Sequence, residues 1–184
     1  MGEFTQLVLA ADAGDIQAAE QILPLVYDEL RTLAAQKMAH EKPGQTLDAT
    51  ALVHEVYLRL VDADNTRRWQ GRGHFLRAAA EAMRRILVDR ARRKRSQKRG
   101  GNRARVAFDE ADGTLTDERE VLAVHEALTE LAAVDPQAAE LVKLRYFAGL
   151  SIPDAAQVLN IGARSADRLW SYARAWLRRE IGEP

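Results

Sequence analysis

Apolar residues recur along most of this chain at steps of three and four, the spacing that gathers side chains on one face of an α-helix. Ile16, Ala19, Leu23, Val26, Leu30 and Leu33 form the first such series and predict a buried face. Pro24 falls inside it, so a kink or a fresh helix is expected there, because proline lacks the amide proton that the helical ladder uses. Glu41-Lys-Pro-Gly-Gln45 breaks the pattern as a loop. Asp48 is placed to cap a helix whose stripe is Leu52, Val53, Val56, Tyr57 and Leu60. After a polar stretch from Asp62 to Gly71, a helix beginning near Gly73 carries Phe75, Ala79, Ala82, Met83 and Ile86 on its inward side. It then becomes too basic to bury, is expected to project into solvent or onto a partner, and ends at Gly100-Gly101-Asn102.

Residues 100–116 have no period and include three glycines, which marks them as a flexible linker. Fully extended, such a segment spans roughly 55 Å. Beyond it, Asp117 with Glu120 three positions later reads as a helix start, and Val121, Val124, Leu128 and Leu131 continue one face. Asp135-Pro136 is a second start, a capping residue followed by proline in the first turn. Leu141, Val142, Leu144 and Tyr146 belong to its helix, which stops near Gly149. No strand alternation of useful length occurs. The expected fold is all-α: two small helical domains, 1–99 and 117–184, joined by the linker 100–116, with a helix-turn-helix in the second.

That helix-turn-helix is the most distinctive local pattern. Ser151-Ile-Pro-Asp154 offers a hydroxyl cap and a carboxylate in the first turn of a short helix built on Ala155, Ala156, Val158 and Leu159. Asn160-Ile161-Gly162 supplies a turn, since Asn tolerates the left-handed conformation, and a long helix follows from Ala163 to about Glu180. On a wheel, Ala166, Leu169, Trp170, Ala173 and Leu177 share one side of it. Arg164, Arg168, Ser171 and Ala175 take the opposite side, with Ser165 and Tyr172 at a flank. An apolar back with small or arginine residues in front lets a helix approach base edges in a major groove. An ordinary amphipathic hairpin with a solvated arginine face is the plainer alternative.

Charge alters the picture more than composition does. With 47% hydrophobic and 29% charged residues, the chain has the make-up of a globular protein, not a disordered one. Net charge is zero, yet residues 1–66 carry 4 basic and 11 acidic groups, 67–105 carry 15 against 2, and 106–184 carry 8 against 14. The neutral total therefore conceals a basic block, net +13, between two acidic ones. Such a block is a footprint for phosphate, or else a solvated basic tail. The chain has no cysteine, no run of ~18 apolar residues and no leader-like N-terminus, so a soluble cytoplasmic protein is expected, without disulfides, zinc or membrane insertion.

Leu141-Val-Lys-Leu-Arg-Tyr-Phe-Ala-Gly-Leu-Ser151 followed by Ala155-Ala-Gln-Val-Leu-Asn-Ile161 resembles region 4 of the extracytoplasmic-function (ECF) group of sigma-70-type RNA polymerase sigma factors. Trp170-Ser-Tyr-Ala-Arg-Ala-Trp-Leu177 is similar to a variant found in one sigma-like branch of that group. Thr50-Ala-Leu-Val-His-Glu-Val-Tyr-Leu-Arg-Leu60 resembles region 2.2. Phe75-Leu-Arg-Ala-Ala-Ala-Glu-Ala-Met-Arg-Arg-Ile-Leu-Val-Asp89, with its basic extension, resembles regions 2.3 and 2.4. Asn160 stands where the family usually has Gly, and Gly162 where it has a Ser or Thr cap.

The resemblance implies core RNA polymerase and promoter DNA as partners, and leaves room for an anti-sigma factor or other regulatory protein. It assigns His54, Glu55, Leu58 and Arg59 to core binding. The −10 element would meet Arg67, Arg68, Trp69, Arg72 and His74, with Trp69 as a stacking platform. For Trp69 a core-capping role is the competing reading. Arg84, Arg85, Arg92, Arg93 and Arg95 would hold backbone phosphates, which position without specifying. Arg164, Ser165, Arg168, Ser171 and Tyr172 would meet the −35 element as duplex, with Asp167 close by.

No catalytic constellation is visible. His54-Glu55 and His125-Glu126 begin like a zinc-protease motif, but Leu58 and Thr129 stand where its second histidine belongs. No cofactor is expected, and an enzyme is not. An autonomous helix-turn-helix regulator is disfavoured by the acidic second domain. A protein-interaction adaptor on the same fold is disfavoured by Arg164 and Arg168.

Overall fold

The structure is a computed structural model, and it describes residues 2–38, 49–61, 69–97 and 118–182. All its regular elements are helical: α1 (Glu3–Asp12), α2 (Ile16–Met38), α3 (Ala49–Val61), α4 (Arg72–Gln97), α5 (Glu118–Val134), α6 (Pro136–Val142), α7 (Ile152–Leu159) and α8 (Ala163–Ile181). A π-helical turn, Lys143–Phe147, prolongs α6. Asp48, Asp117, the loop Glu41–Gln45 and the expected linker 100–116 lie outside the described residues, as do Arg67 and Arg68.

The first half packs α1 on α2, α2 on α3 and α3 on α4. Val26, Leu30 and Leu33 are buried as their spacing requires, but Ile16 is 75% exposed. It opens α2 on the turn closed by Asp15, whose carboxylate accepts from the amides of Gln17 and Ala18, so its side chain precedes the packed part of the helix. The helix also runs through Pro24 without ending. Pro24 and Glu20 are both exposed, so the carbonyl that loses its partner can face water. The helix α1 has no counterpart in the sequence reading. It buries Val8 and sets Phe4 against Phe75, ring centroids 5.2 Å apart.

The central element is α4. One side buries Phe75, Ala79, Ala82 and Ile86, as the periodicity demands. Another buries Ala80, Leu87, Val88 and Ala91, and α4 packs there against α5, the π-helical turn and α7. A helix apolar on two sides belongs between two layers. Here it joins the halves into one continuous core.

In the second half α5, α6 and α7 surround α8. Asp135 caps α6, accepting from Ala138 N at 2.9 Å, and Ser151 caps α7, accepting from Asp154 N at 3.2 Å. Asn160 takes the left-handed conformation, φ 53°, that turns the chain into α8.

Candidate nucleic-acid interface

The long helix α8 is set by its buried side. Ala166, Trp170, Ala173 and Leu177 are buried and Leu169 half-buried, which leaves Arg164, Ser165, Arg168, Ser171 and Tyr172 exposed on the outer side. Gly162 occupies the N-cap without a side-chain bond, so nothing bulky guards the entry to the helix. The Ser171 hydroxyl donates to the Asp167 carbonyl at 2.9 Å, so its proton is committed within the helix and its lone pairs remain outward. Asp167 is itself exposed. A shallow groove runs beside this face, with Asp135 and Gln137 on one wall and Ser165, Arg168 and Tyr172 on the other.

Two contacts missed by sequence reasoning brace the second half, and the first of them reaches α8. Arg145, in the π-helical turn, lies over the Trp170 ring at 4.9 Å and donates to the Leu150 carbonyl at 2.8 Å. Tyr146 donates to Glu120 at 2.9 Å, and both are fully buried. Burial first, then the Glu120 charge and the hydrogen bond to it, raise the Tyr146 hydroxyl well above its ordinary value. The sequence reading placed Glu120 as a helix cap; the structure makes it a core acceptor. An acidic residue immediately before a run of buried apolar ones was the only available signal.

The first-half candidates divide by exposure. In α3, Leu58 is 70% exposed, a large apolar side chain in water. Beside it, Glu55 pairs with Arg90 at 2.5 Å, Arg59 with Asp89 at 3.7 Å, and His54 Nε2 lies 3.3 Å from the Tyr27 hydroxyl. Trp69 does not present a ring to solvent. It is 5% exposed and meets Phe75 edge-on at 4.9 Å, so in this arrangement it fills the core, the competing reading of this residue. Just after it, Gly71 has φ +139°, and a Cβ there would stand 3.1 Å from Thr5 Cγ2. Only glycine fits, and α1 thereby fixes where α4 begins.

At that start, His74 Nδ1 accepts from Gln70 N at 3.2 Å, and Arg72 pairs with Glu29. Arg92, Arg93 and Arg95 are exposed, as is Arg85, which bonds Glu81 at 3.0 Å. Arg84 is different. Its side chain is 17% exposed, pairs with Glu81 at 2.6 Å and donates to His125 Nδ1 at 2.6 Å. Glu81 is the hub, reaching Lys143 as well at 3.6 Å. Burial pushes its carboxyl up, but hydrogen bonds and charge from Arg84, then Arg85 and Lys143, hold it at about 2. A lone acid with arginine three and four residues later was legible as a helical ion-pair site. Its reach across to the second half was not.

Among the described residues no group of three or more acidic or histidine side chains could hold a metal ion. No helix among them is long and apolar enough to cross a membrane. Residues 1–183 match the ECF sigma factor family. The chain belongs to that family. The match takes in α3, α4 and the helix-turn-helix together, so this sigma factor acts in transcription initiation as a DNA-binding protein. No curated protein matches the chain.

Proposed function

We propose that this sigma factor binds core RNA polymerase through the outer side of α3 and directs it to promoters by two contacts. In this reading 1–99 and 117–184 act as separate units on the enzyme, tethered by 100–116. The first unit meets the −10 element with Arg67, Arg68, Arg72 and His74, while Arg84, Arg85, Arg92, Arg93 and Arg95 hold phosphates. Trp69 contributes by anchoring the segment that carries them. The second unit lays α8 in the −35 major groove, with Arg164, Ser165, Arg168, Ser171 and Tyr172 in reach of the duplex.

The observation that carries the reading is the outer face of α8: arginines and small polar residues, unburied, on a helix whose back is locked by Trp170 and Leu177. Charge supports the division of labour. The unit that holds α8 is acidic, so it binds duplex weakly alone and depends on tethering to a basic partner unit. Core binding would rest on Leu58, with His54, Glu55 and Arg59 as its polar surround. Co-elution with purified core polymerase tests this. The full chain should form a stable complex, Leu58→Glu should weaken it at least tenfold, and equal binding of both would remove α3 from the interface.

A further inference from the structure

The helix α4 begins without a cap of its own. Its N-cap is Gly71, whose carbonyl accepts from Phe75 N at 3.1 Å to close the first turn. Glycine has no side chain, so it cannot satisfy the amides that a helix start leaves over. The hydroxyl comes instead from another helix. Thr5 of α1 places Oγ1 3.4 Å from Arg72 N and accepts from it, across 67 residues of sequence. The Thr5 methyl fills the space beside Gly71, 3.1 Å from where a Cβ would stand. Phe4 and Trp69 both pack on the Phe75 ring, with centroids 5.2 and 4.9 Å from it. Neighbouring residues of α1 therefore hold the first turn of α4 together with the segment that leads into it.

Two polar side chains stand at this start. Gln70 N donates to His74 Nδ1 at 3.2 Å, which leaves the ring proton on Nε2 as a donor. Arg72 pairs with Glu29 of α2 through Nη2, one nitrogen of a fork with five N–H donors, and its side chain stays 48% exposed. We propose that Thr5 is a positioning residue for the −10 contact, its hydroxyl capping α4 from α1 and so holding the turn Gln70–His74 in the arrangement that presents Arg72 and His74 to the promoter strand. The inference rests on the reading of Arg72 and His74 as −10 contacts and adds what aims them. Thr5 acts through those two side chains, not by touching DNA. Gly71 makes such a hold necessary: at φ +139° it occupies one of the many conformations open to glycine, and nothing in its own chemistry selects that one. When the hold is lost, the Arg72 amide and the His74 ring both change direction. The fold loses little, because the bond is single and its acceptor only half-buried.

Holoenzyme assembled from purified core polymerase and the full-length protein tests this on two probes from a promoter at which it starts transcripts. One is a single strand carrying the −10 sequence, the other a duplex carrying the −35 sequence. Thr5→Val keeps both γ positions against Gly71 but removes the acceptor. It should weaken binding of the −10 strand about fivefold, what one hydrogen bond supplies, and leave the −35 duplex within about twofold. Thr5→Ser keeps the hydroxyl and should bind the strand as the wild type does. A defect of folding lowers both probes together, because it removes competent holoenzyme from each. A double-mutant cycle then reads the aim itself: with Arg72→Ala and His74→Ala in place, Thr5→Val should have no further effect. Equal losses on the two probes, a loss in Thr5→Ser as large as in Thr5→Val, or additive losses in the cycle overturn the proposal. No loss in Thr5→Val, beside a clear one in the Arg72→Ala, His74→Ala protein, sinks the role of Thr5 alone. A −10 strand bound equally well without both side chains sinks the reading beneath it.

Discussion

The guanidinium of Arg145 lies over the ring of Trp170, 4.9 Å from its centroid, and ties the π-helical turn to the middle of α8. The same side chain donates to the Leu150 carbonyl just before α7, so one residue ties the entry to α7 to the middle of α8. Arg145→Ala should lower the unfolding free energy by about 1–2 kcal/mol, the sum of a partly desolvated cation–π contact and a hydrogen bond. Arg145→Lys should recover little, because an ammonium neither stacks flat nor keeps the fork. Urea unfolding of the three proteins measures both effects.

Tyr146 and Glu120 make a buried donor–acceptor pair. Tyr146→Phe leaves the carboxylate short of a partner and should cost about 1–3 kcal/mol. The pair also gives a sign for alkaline behaviour. The hydroxyl is raised above its ordinary 10.0 in the folded state, so its stabilisation is whole below pH 10.0 and fades as pH climbs toward the folded value. The wild type should lose stability faster than Tyr146→Phe above pH 10, measured as melting temperature against pH.

His125 makes the contact between α4 and α5 acid-sensitive. Burial and then the charges of Arg84 and Arg92 lower it below 6.5, while Glu126 and Glu81, the acids that face it, raise it. A neutral ring accepts from Arg84, and a protonated one repels it. That contact is therefore whole above 6.5 and weakens as pH falls from there toward the folded value. Amide protection along α4 and α5, taken relative to the intrinsic exchange rate at each pH, should fall between pH 7 and 5.5 in the wild type. His125→Gln, which cannot charge, should flatten that response.

Arg168 stands exposed on the outer side of α8, at the mouth of the groove it shares with Tyr172. Arg168→Ala should relax base preference in the −35 region by about 1–3 kcal/mol at one position while leaving polymerase binding intact. Competition among promoter variants measures it. Loss of polymerase binding would mean that this face serves the enzyme, not the DNA.

Much of this was legible because helices announce their buried stripes. Leu128 and Leu131 in α5, Trp170 and Leu177 in α8, and the caps Asp135 and Ser151 all stand where spacing and capping chemistry put them. What escaped was long-range. Trp69 in a polar stretch could stack on a base or fill a core, and only its burial against Phe75 selects the second in this arrangement. The second buried side of α4 was hidden because Gly73, Ala80 and Ala91 are too small to register as apolar signal. The basic run of α4 likewise reads as free charge beyond its own Glu81 until His125 and Glu118 are brought to it by the fold. Local pattern encodes which face is apolar; which neighbour covers it depends on the other half of the chain.

The proposed function requires that this sigma factor make core polymerase choose promoters. Run-off transcription with purified core polymerase, the full-length protein and a promoter library measures that directly. Addition of the protein should start transcripts from a subset of templates sharing spaced −10 and −35 sequences, and Arg168→Ala should broaden that subset at the −35 side. Initiation unchanged by the protein across the library would contradict the account.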